Sequence, residues 1–268
     1  MAATDFELRA FEKSAIELVR LGGRMAVEWA GSRTTEMKAD QSPVTAADCA
    51  VQAAMIAGLR SAHPFHDILA EESDEGTATA GESRYCWVID PIDGTRNFAR
   101  GSRSFACSAA LLELGIPVVG AIYDARFDAV FHARRGGGTR CEDTPVRVST
   151  RGLDDHSIVA ISSIRNKPVP PGIPALMNRI MFRNLGSLCL HLCATACGDF
   201  DALYSHEAKP WDIAAGCVLI EEAGGRATRP DGGALWPLDP RGYRGEDMPI
   251  LAAGPAMHEA LRAALIGH

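Results

Sequence analysis

No stretch of the 268-residue chain approaches the roughly 20 consecutive apolar residues that a membrane-spanning helix needs, so a membrane partner is not expected. The N-terminus, M-A-A-T-D-F-E-L, lacks a basic segment followed by an apolar one, and the expectation is a cytoplasmic protein without a secretory leader. Positive charge is in deficit: 27 Lys and Arg against 34 Asp and Glu leave a net charge of −7, which weighs against a nucleic-acid polymer as partner because such a partner demands a basic face. A local basic pocket for a small anion remains compatible with that balance. Two catalytic signatures are missing as well. Arg134-Arg135-Gly136-Gly137-Gly138 is glycine-rich but has no G-x-x-x-x-G-K-[ST] pattern, which disfavours a nucleotide P-loop, and without G-x-S-x-G there is no serine-hydrolase elbow. Cysteine is present eight times, and its one closely spaced run looks like a metal cluster but lacks the turns and the second pair that thiolate zinc sites favour. Cys189, Cys193 and Cys197 lie four apart around His191, as one face of a buried helix would place them, and the others sit mostly in apolar segments, as buried small hydrophobes rather than a disulfide frame.

What is present describes an ordinary globular chain, 47% hydrophobic and 23% charged, long enough to bury a sizeable core. Thr4 and Glu7 form a capping box ahead of Phe11, Leu18, Val19 and Met25 at helical spacing, which predicts a helix over residues 5–30. A polar loop should follow, then a second helix from about Thr45 with Asp48 in its first turn. Residues 68–70, 85–89, 105–112, 118–123 and 129–133 read as strands, with a loop at 134–138. After about Val148 the texture changes. Strands at 158–161, 182–185 and 250–253 alternate with helices at 187–197, 211–223 and 256–266, an α/β pattern, and the Pro-rich stretch 167–174 reads as a loop.

Four segments carry chemistry. The first is W-V-I-D-P-I-D-G-T-R, from Trp87 to Arg96, where an apolar strand runs into Asp90 and Asp93 and then into Gly94 and Thr95. Pro91 cannot donate to a ladder and Gly94 admits unusual backbone angles, so both aspartates should sit on a turn at a strand end. Carboxylates without neighbouring His or Cys suit a hard cation such as Mg²⁺, and a helical turn opening at Thr95 would aim free N–H groups at a phosphate. The second segment is Leu69-Ala70-Glu71-Glu72-Ser73. The third is Lys209-Pro210-Trp211-Asp212-Ile213-Ala214-Ala215-Gly216, with Asp212 at a helix start. The fourth runs from Lys38 through S-P-V-T to Asp48. Taken singly, a solvated Asp-Gly turn, a charged loop and a helix cap have the same appearance.

Together, in this order and spacing from residue 5 to the C-terminus, they resemble the inositol monophosphatase family of metal-dependent phosphatases. The resemblance rests on W-V-I-D-P-I-D-G-T-R-N-F, on W-D-I-A-A-G with downstream E-E-A-G-G, on S-P-V-T-x-A-D and on the strand-end E-E-S. It implies an α/β, layered αβαβα sandwich, with an α+β half (1–148) carrying most metal ligands and an α/β half (149–268) carrying Asp212 and the substrate rim. It further implies a homodimer, inhibition by lithium, and two to three Mg²⁺ ions held by Glu71, Asp90, Asp93, Asp212 and the Ile92 carbonyl. The Gly94 and Thr95 amides would hold the phosphate of a small-molecule phosphate monoester. Thr95, paired with Asp48, would act with Glu71 in catalysis by orienting the attacking water, and Lys38 matches a family lysine near the site.

Substrate choice falls on Asp93, Gly94, Thr95, Ser187, Leu188, Ser205 and Asp212. The family's G-[ST]-A-A element stands here as Gly186-Ser187-Leu188-Cys189, and Ser205 occupies the position of a glutamate that grips two hydroxyls in the animal enzymes. Serine cannot make that bidentate contact, and Glu207 and His206 are the neighbours that could replace it. The reaction implied is hydrolysis of a small polyol or sugar phosphate, inositol monophosphate-like, by direct attack of a metal-activated water. The alternatives are histidinol phosphate, fructose 1,6-bisphosphate or a 3′(2′),5′-bisphosphate nucleotide, and, outside enzymology, a regulatory or binding protein that retains the fold.

Overall fold

The computed structural model describes residues 2–30, 35–37, 43–72, 83–164, 168 and 170–266. Helix α1 (Asp5–Trp29) begins at the expected box: the Glu7 N–H donates to Thr4 Oγ1 and the Thr4 N–H to the Glu7 carboxylate. Its stripe of Leu8, Ala15, Leu18, Val19 and Ala26 is buried. The polar segment after it is more than a loop. Strand β1 (Thr35–Met37) pairs antiparallel with β2 (Pro43–Thr45), and α2 (Ala46–Ala62) follows directly with Asp48 in its first turn. Lys38 lies outside the described residues.

A seven-stranded sheet follows, ordered β3 (Asp67–Ala70), β4 (Tyr85–Asp93), β5 (Ala106–Glu113), β6 (Ile116–Asp124), β7 (Ala129–Arg134), β8 (Gly138–Cys141) and β9 (Thr144–Val146). β3 and β4 run parallel and every later pair is antiparallel. β5 is buried along its whole length because its alternating side chains meet helices on both faces. Cys107, Ala109 and Leu111 share a core with α1 and α2. Ala106, Ala110 and Leu112 share one with α5 (Leu188–Ala196) and α6 (Pro210–Glu222).

A five-stranded sheet covers the other side of α5 and α6, in the order β11 (Met181–Arg183), β10 (Ile158–Ile161), β12 (Ala202–Ser205), β14 (Ile250–Ala253), β13 (Arg226–Thr228). Leu203 and Ala252 pack with α5 and α6, while Val159, Tyr204 and Leu251 pack with α4 (Gly172–Met177) and α7 (Pro255–Ile266). The layers are therefore α1/α2, sheet, α5/α6, sheet, α4/α7: an αβαβα sandwich of the α/β class. α6 lies close against α5 because Gly216 has no side chain; a Cβ there would stand 2.4 Å from Leu192 Cδ1. That contact accounts for the glycine that ends W-D-I-A-A-G.

Several elements differ from expectation. β4 runs through Pro91 to Asp93, accommodated by a register shift against β5. Arg134 ends a strand and Gly138 begins one, with three turn residues between. Gly172–Met177 is helical although its start was expected in a loop, and the short strands β12 and β13 have too few residues to show a period. All eight cysteines are free thiols, five of them buried and Cys49 exposed. Among the described residues no helix is long and apolar enough to cross a membrane.

Candidate metal and phosphate site

Three carboxylates are delivered by β-sheet geometry. Ala70 of β3 pairs with Ile89 of β4 in a parallel ladder, so Glu71 and Asp90 leave adjacent strand ends side by side. The Glu71 N–H donates to the Ile89 carbonyl at 3.3 Å, closing that edge. Asp93 needs a further device. In an uninterrupted strand, residues three apart face opposite ways. Here Asp90 pairs with Ser108 and Asp93 with Ala106, three steps on β4 against two on β5. The extra residue turns Asp93 back to the side of Asp90 and places Pro91 where no donor is required. Ile92, on the opposite side, packs in the core beneath α1 and α2.

The fourth carboxylate comes from α6. Lys209 caps this helix, Pro210 takes its first position, and the Lys209 N–H donates to Asp212 Oδ2 at 2.6 Å. Lys209 Nζ points away to Asp247, 3.0 Å distant, which leaves Asp212 facing the other acids. Asp90, Asp93 and Asp212 each offer an oxygen within 4.8 Å of the others, and Glu71 lines the same cavity of about 210 Å³.

Asp93 is also gripped from α5. Ser187 caps that helix, accepting from the Leu190 N–H at 3.2 Å and donating its own hydroxyl to Asp93 Oδ2 at 2.5 Å. The Cys189 N–H donates to the same oxygen at 2.6 Å. Asp93 therefore sits at a helix N-terminus, where a negative charge is favoured. Ser187 was expected at the substrate rim; it lines the cavity beside the acidic one, and its hydroxyl is committed to Asp93. A cap whose hydroxyl still has a proton to give is the feature that marks such a residue.

Gly94 follows with φ of 99°, a left-handed angle that a β-carbon would strain, and opens the single turn α3 (Thr95–Phe98). Its carbonyl accepts from the Asn97 and Phe98 N–H groups, while among the described residues the N–H groups of Gly94 and Thr95 have no backbone acceptor. Thr95 Oγ1 donates to the Ile92 carbonyl at 3.1 Å and stands 3.5 Å from Oδ1 of Asp48, on the buried face of α2. The expected Thr95–Asp48 pair is thus brought together, with the carbonyl as the nearer partner.

The rim is placed differently from the acids. Ser205 is fully buried, its hydroxyl donates to the Glu207 carbonyl, and it lines neither this cavity nor the one beside it. Glu207, two residues on, does line the neighbouring cavity, together with Leu188. The position expected to touch substrate is occupied by a side chain too short to reach out of the strand.

Electrostatics follow from burial. Asp90 and Asp212 are pushed well above the usual carboxylate range, first by burial and then by their acidic neighbours. Asp93 is also raised by burial, but the bonds from Ser187 and Cys189 pull against it. The Cys107 and Cys189 thiols are driven far up by burial and stay protonated. The donor set is therefore oxygen alone, which fits a hard dication and not a thiolate metal. Four crowded carboxylates are stable together only when protons or cations neutralise them.

A pH dependence follows. The raised pKa values mean that the folded, metal-free protein holds protons that the unfolded chain releases near pH 4. This stabilisation is complete below the unfolded values and is lost as pH rises through the folded ones. A dication that replaces the protons should therefore stabilise more as pH rises. The gain in melting temperature from saturating Mg²⁺ is expected to grow between about pH 5 and about pH 8. A flat or shrinking gain would contradict the proton–metal exchange.

Comparisons with known proteins agree with this fold. The model of the inositol monophosphatase family matches residues 7–266. An inositol-1-monophosphatase of Bacillus subtilis is 32% identical over 246 residues, covering 90% of each chain. A Pasteurella multocida protein named Nus factor SuhB is 36% identical over 205 residues, 74% of this chain and 76% of that one. The solved structure of inositol monophosphatase from Anabaena superimposes with a TM-score of 0.83 at 32% identity, covering 97% of this chain and 96% of the other.

Proposed function

This chain belongs to the inositol monophosphatase family, and we propose that it is a Mg²⁺-dependent phosphate monoester hydrolase acting on a small polyol or sugar phosphate. The observation that carries the reading is the convergence of Glu71, Asp90, Asp93 and Asp212 on one cavity with Gly94 and Thr95. These carboxylates and the Ile92 carbonyl would hold two to three ions. When bound, the metal supplies Lewis-acid neutralisation of the phosphate and lowers the pKa of water.

The protein's own groups do the rest. The N–H groups of Gly94 and Thr95 take phosphate oxygens, fixing the ester for in-line attack. Thr95 Oγ1, between the Ile92 carbonyl and Asp48, can orient the attacking water by accepting its hydrogen bond while passing its own proton toward Asp48. Ser187 and Cys189 hold Asp93 in one rotamer, so the cluster does not reorganise when the anion enters. No side chain here is poised as a covalent nucleophile, since the nearby thiols are protonated.

The reading includes a cytoplasmic homodimer, in line with the family resemblance. A purely regulatory role, suggested by the name of the Pasteurella relative, leaves unexplained why four mutually repelling carboxylates should be kept around a phosphate-sized cavity. The test is phosphate release with Mg²⁺ from inositol 1-phosphate, histidinol phosphate, fructose 1,6-bisphosphate and adenosine 3′,5′-bisphosphate. Hydrolysis of at least one is expected; release from none would sink the proposal.

A further inference from the structure

A second cavity, of about 440 Å³, abuts the acidic one, and Arg96, Gly186 and no carboxylate ligand of the cluster belong to both. Its size is that of a small-molecule pocket. Arg96 and Arg100 line it, and both are exposed. Among the described residues neither side chain reaches a carboxylate or any other acceptor, whereas Arg84, Arg126 and Arg134 are held by Glu113, Asp124 and the pair Asp5 and Glu12. In a chain of net charge −7, two uncommitted guanidiniums beside an acidic cluster form a local reversal of sign.

The rest of the lining is preorganised. Asn184 Nδ2 donates to Ser163 Oγ at 2.9 Å, and Asn184 Oδ1 accepts from the Gly186 N–H at 2.9 Å. Asn97 Nδ2 donates to the Ser104 and Leu185 carbonyls at 2.7 and 2.8 Å, tying the arginine-bearing segment to this loop. His191, 1% exposed, accepts the Leu185 N–H on Nε2 at 2.7 Å, so its proton sits on Nδ1, a donor with no acceptor among the described residues. Burial lowers its pKa to about 4, and the ring is neutral near pH 7. Glu207 is the acid of this lining and is engaged in an interaction of its own. Counting it with Arg96 and Arg100, the lining carries a formal charge of +1.

We propose that this cavity receives the leaving group, and that Arg96 and Arg100 select alcohols that carry a second phosphate. The inference rests on the phosphatase reading above and narrows its substrate class. A neutral polyol would leave both guanidiniums to solvent. A second phosphate offers each of them a charge-assisted, planar contact. It would also keep its charge away from the carboxylate cluster, with the phosphate being cleaved held between the two. Ser205, buried in its strand, gives no competing grip on vicinal hydroxyls.

The test uses matched pairs with Mg²⁺: fructose 1,6-bisphosphate against fructose 1-phosphate, and inositol 1,4-bisphosphate against inositol 1-phosphate. Wild type should favour the doubly phosphorylated member of at least one pair by roughly tenfold or more in kcat/KM, as expected for a charged hydrogen bond. The preference should reside in KM and shrink as salt screens the exposed arginines. In Arg100→Gln it should fall about tenfold, and further in Arg96→Gln/Arg100→Gln, at unchanged melting temperature. Equal or better use of the singly phosphorylated member in both pairs, or a preference that the double variant leaves intact, overturns the inference while the phosphatase reading stands. No phosphate release from any of the four overturns the inference, and the phosphatase reading falls with it only if histidinol phosphate and adenosine 3′,5′-bisphosphate are left intact as well.

Discussion

Asp93→Asn is expected to lower kcat/KM for any good substrate by roughly 10³-fold, the upper range for losing one group that stabilises transition-state charge, while leaving the fold intact. Asparagine has the shape of aspartate, so the end of β4 and the cap of α5 need not move. Its carbonyl oxygen can still accept from Ser187 and Cys189, as Asp93 Oδ2 does. That leaves the amide NH₂ facing the cavity, a donor where a metal ligand is needed and a neutral group where a negative charge was. The same change relieves repulsion with Asp90 and Asp212, which both feel Asp93. The metal-free variant should therefore melt no lower than wild type, and its gain from Mg²⁺ should be smaller. Activity and melting thus move independently, which separates loss of a ligand from loss of structure. Turnover near wild type would remove Asp93 from the proposed ligand set.

Chelation should abolish turnover, Mg²⁺ should restore it, and Ca²⁺ should not. The cluster presents oxygen atoms alone, at a spacing that hard dications of either size can bridge, so Ca²⁺ is expected to bind. What differs is geometry at the phosphate. Mg²⁺ holds its ligands near 2.1 Å in a strict octahedron, whereas Ca²⁺ accepts six to eight at about 2.4 Å and wanders among them. The amides of Gly94 and Thr95 are fixed by the backbone and cannot follow that drift. Calcium should therefore stabilise the protein against heat and inhibit competitively with Mg²⁺. Full activity in chelator without added metal would contradict the mechanism.

The two arms of the site were unequally legible in the chain. Asp90, Asp93, Gly94 and Thr95 are contiguous, so their proximity needs only a strand end and a turn, and local chemistry names both. Pro91 misled: its missing N–H suggested that the strand must stop, yet β4 continues because the shift opposite Ala106 and Ser108 removes the need for a donor. Ser187 has a second role that the sequence did not show. Its place in a glycine-serine element suggested the substrate rim, and it does line the cavity beside the acids, but Asp93, 94 residues earlier in the chain, takes its hydroxyl. Ser205 lies within a four-residue strand whose side chains are all buried, a fate that no period over so short a run could reveal. Arg96 and Arg100 look like ordinary surface charge in the sequence; their lack of a partner among the described residues becomes visible only in the folded chain.

By itself the sequence determined the chemistry of the site: oxygen donors without usable thiols or imidazoles, a glycine at the phosphate turn, and helix starts at Asp48, Ser187 and Asp212. These follow from side-chain type and from contacts within a few residues, which depend little on the rest of the fold. The tertiary structure alone decided which of these groups meet. Parallel pairing sets Glu71 beside Asp90, a one-residue bulge turns Asp93 to join them, and the close packing of α5 against α6 carries both Ser187 and Asp212 to Asp93. Each of these is a long-range arrangement in which a shift of one residue would point a carboxylate into the opposite layer, and that choice is made by the burial of whole faces rather than by any local pattern.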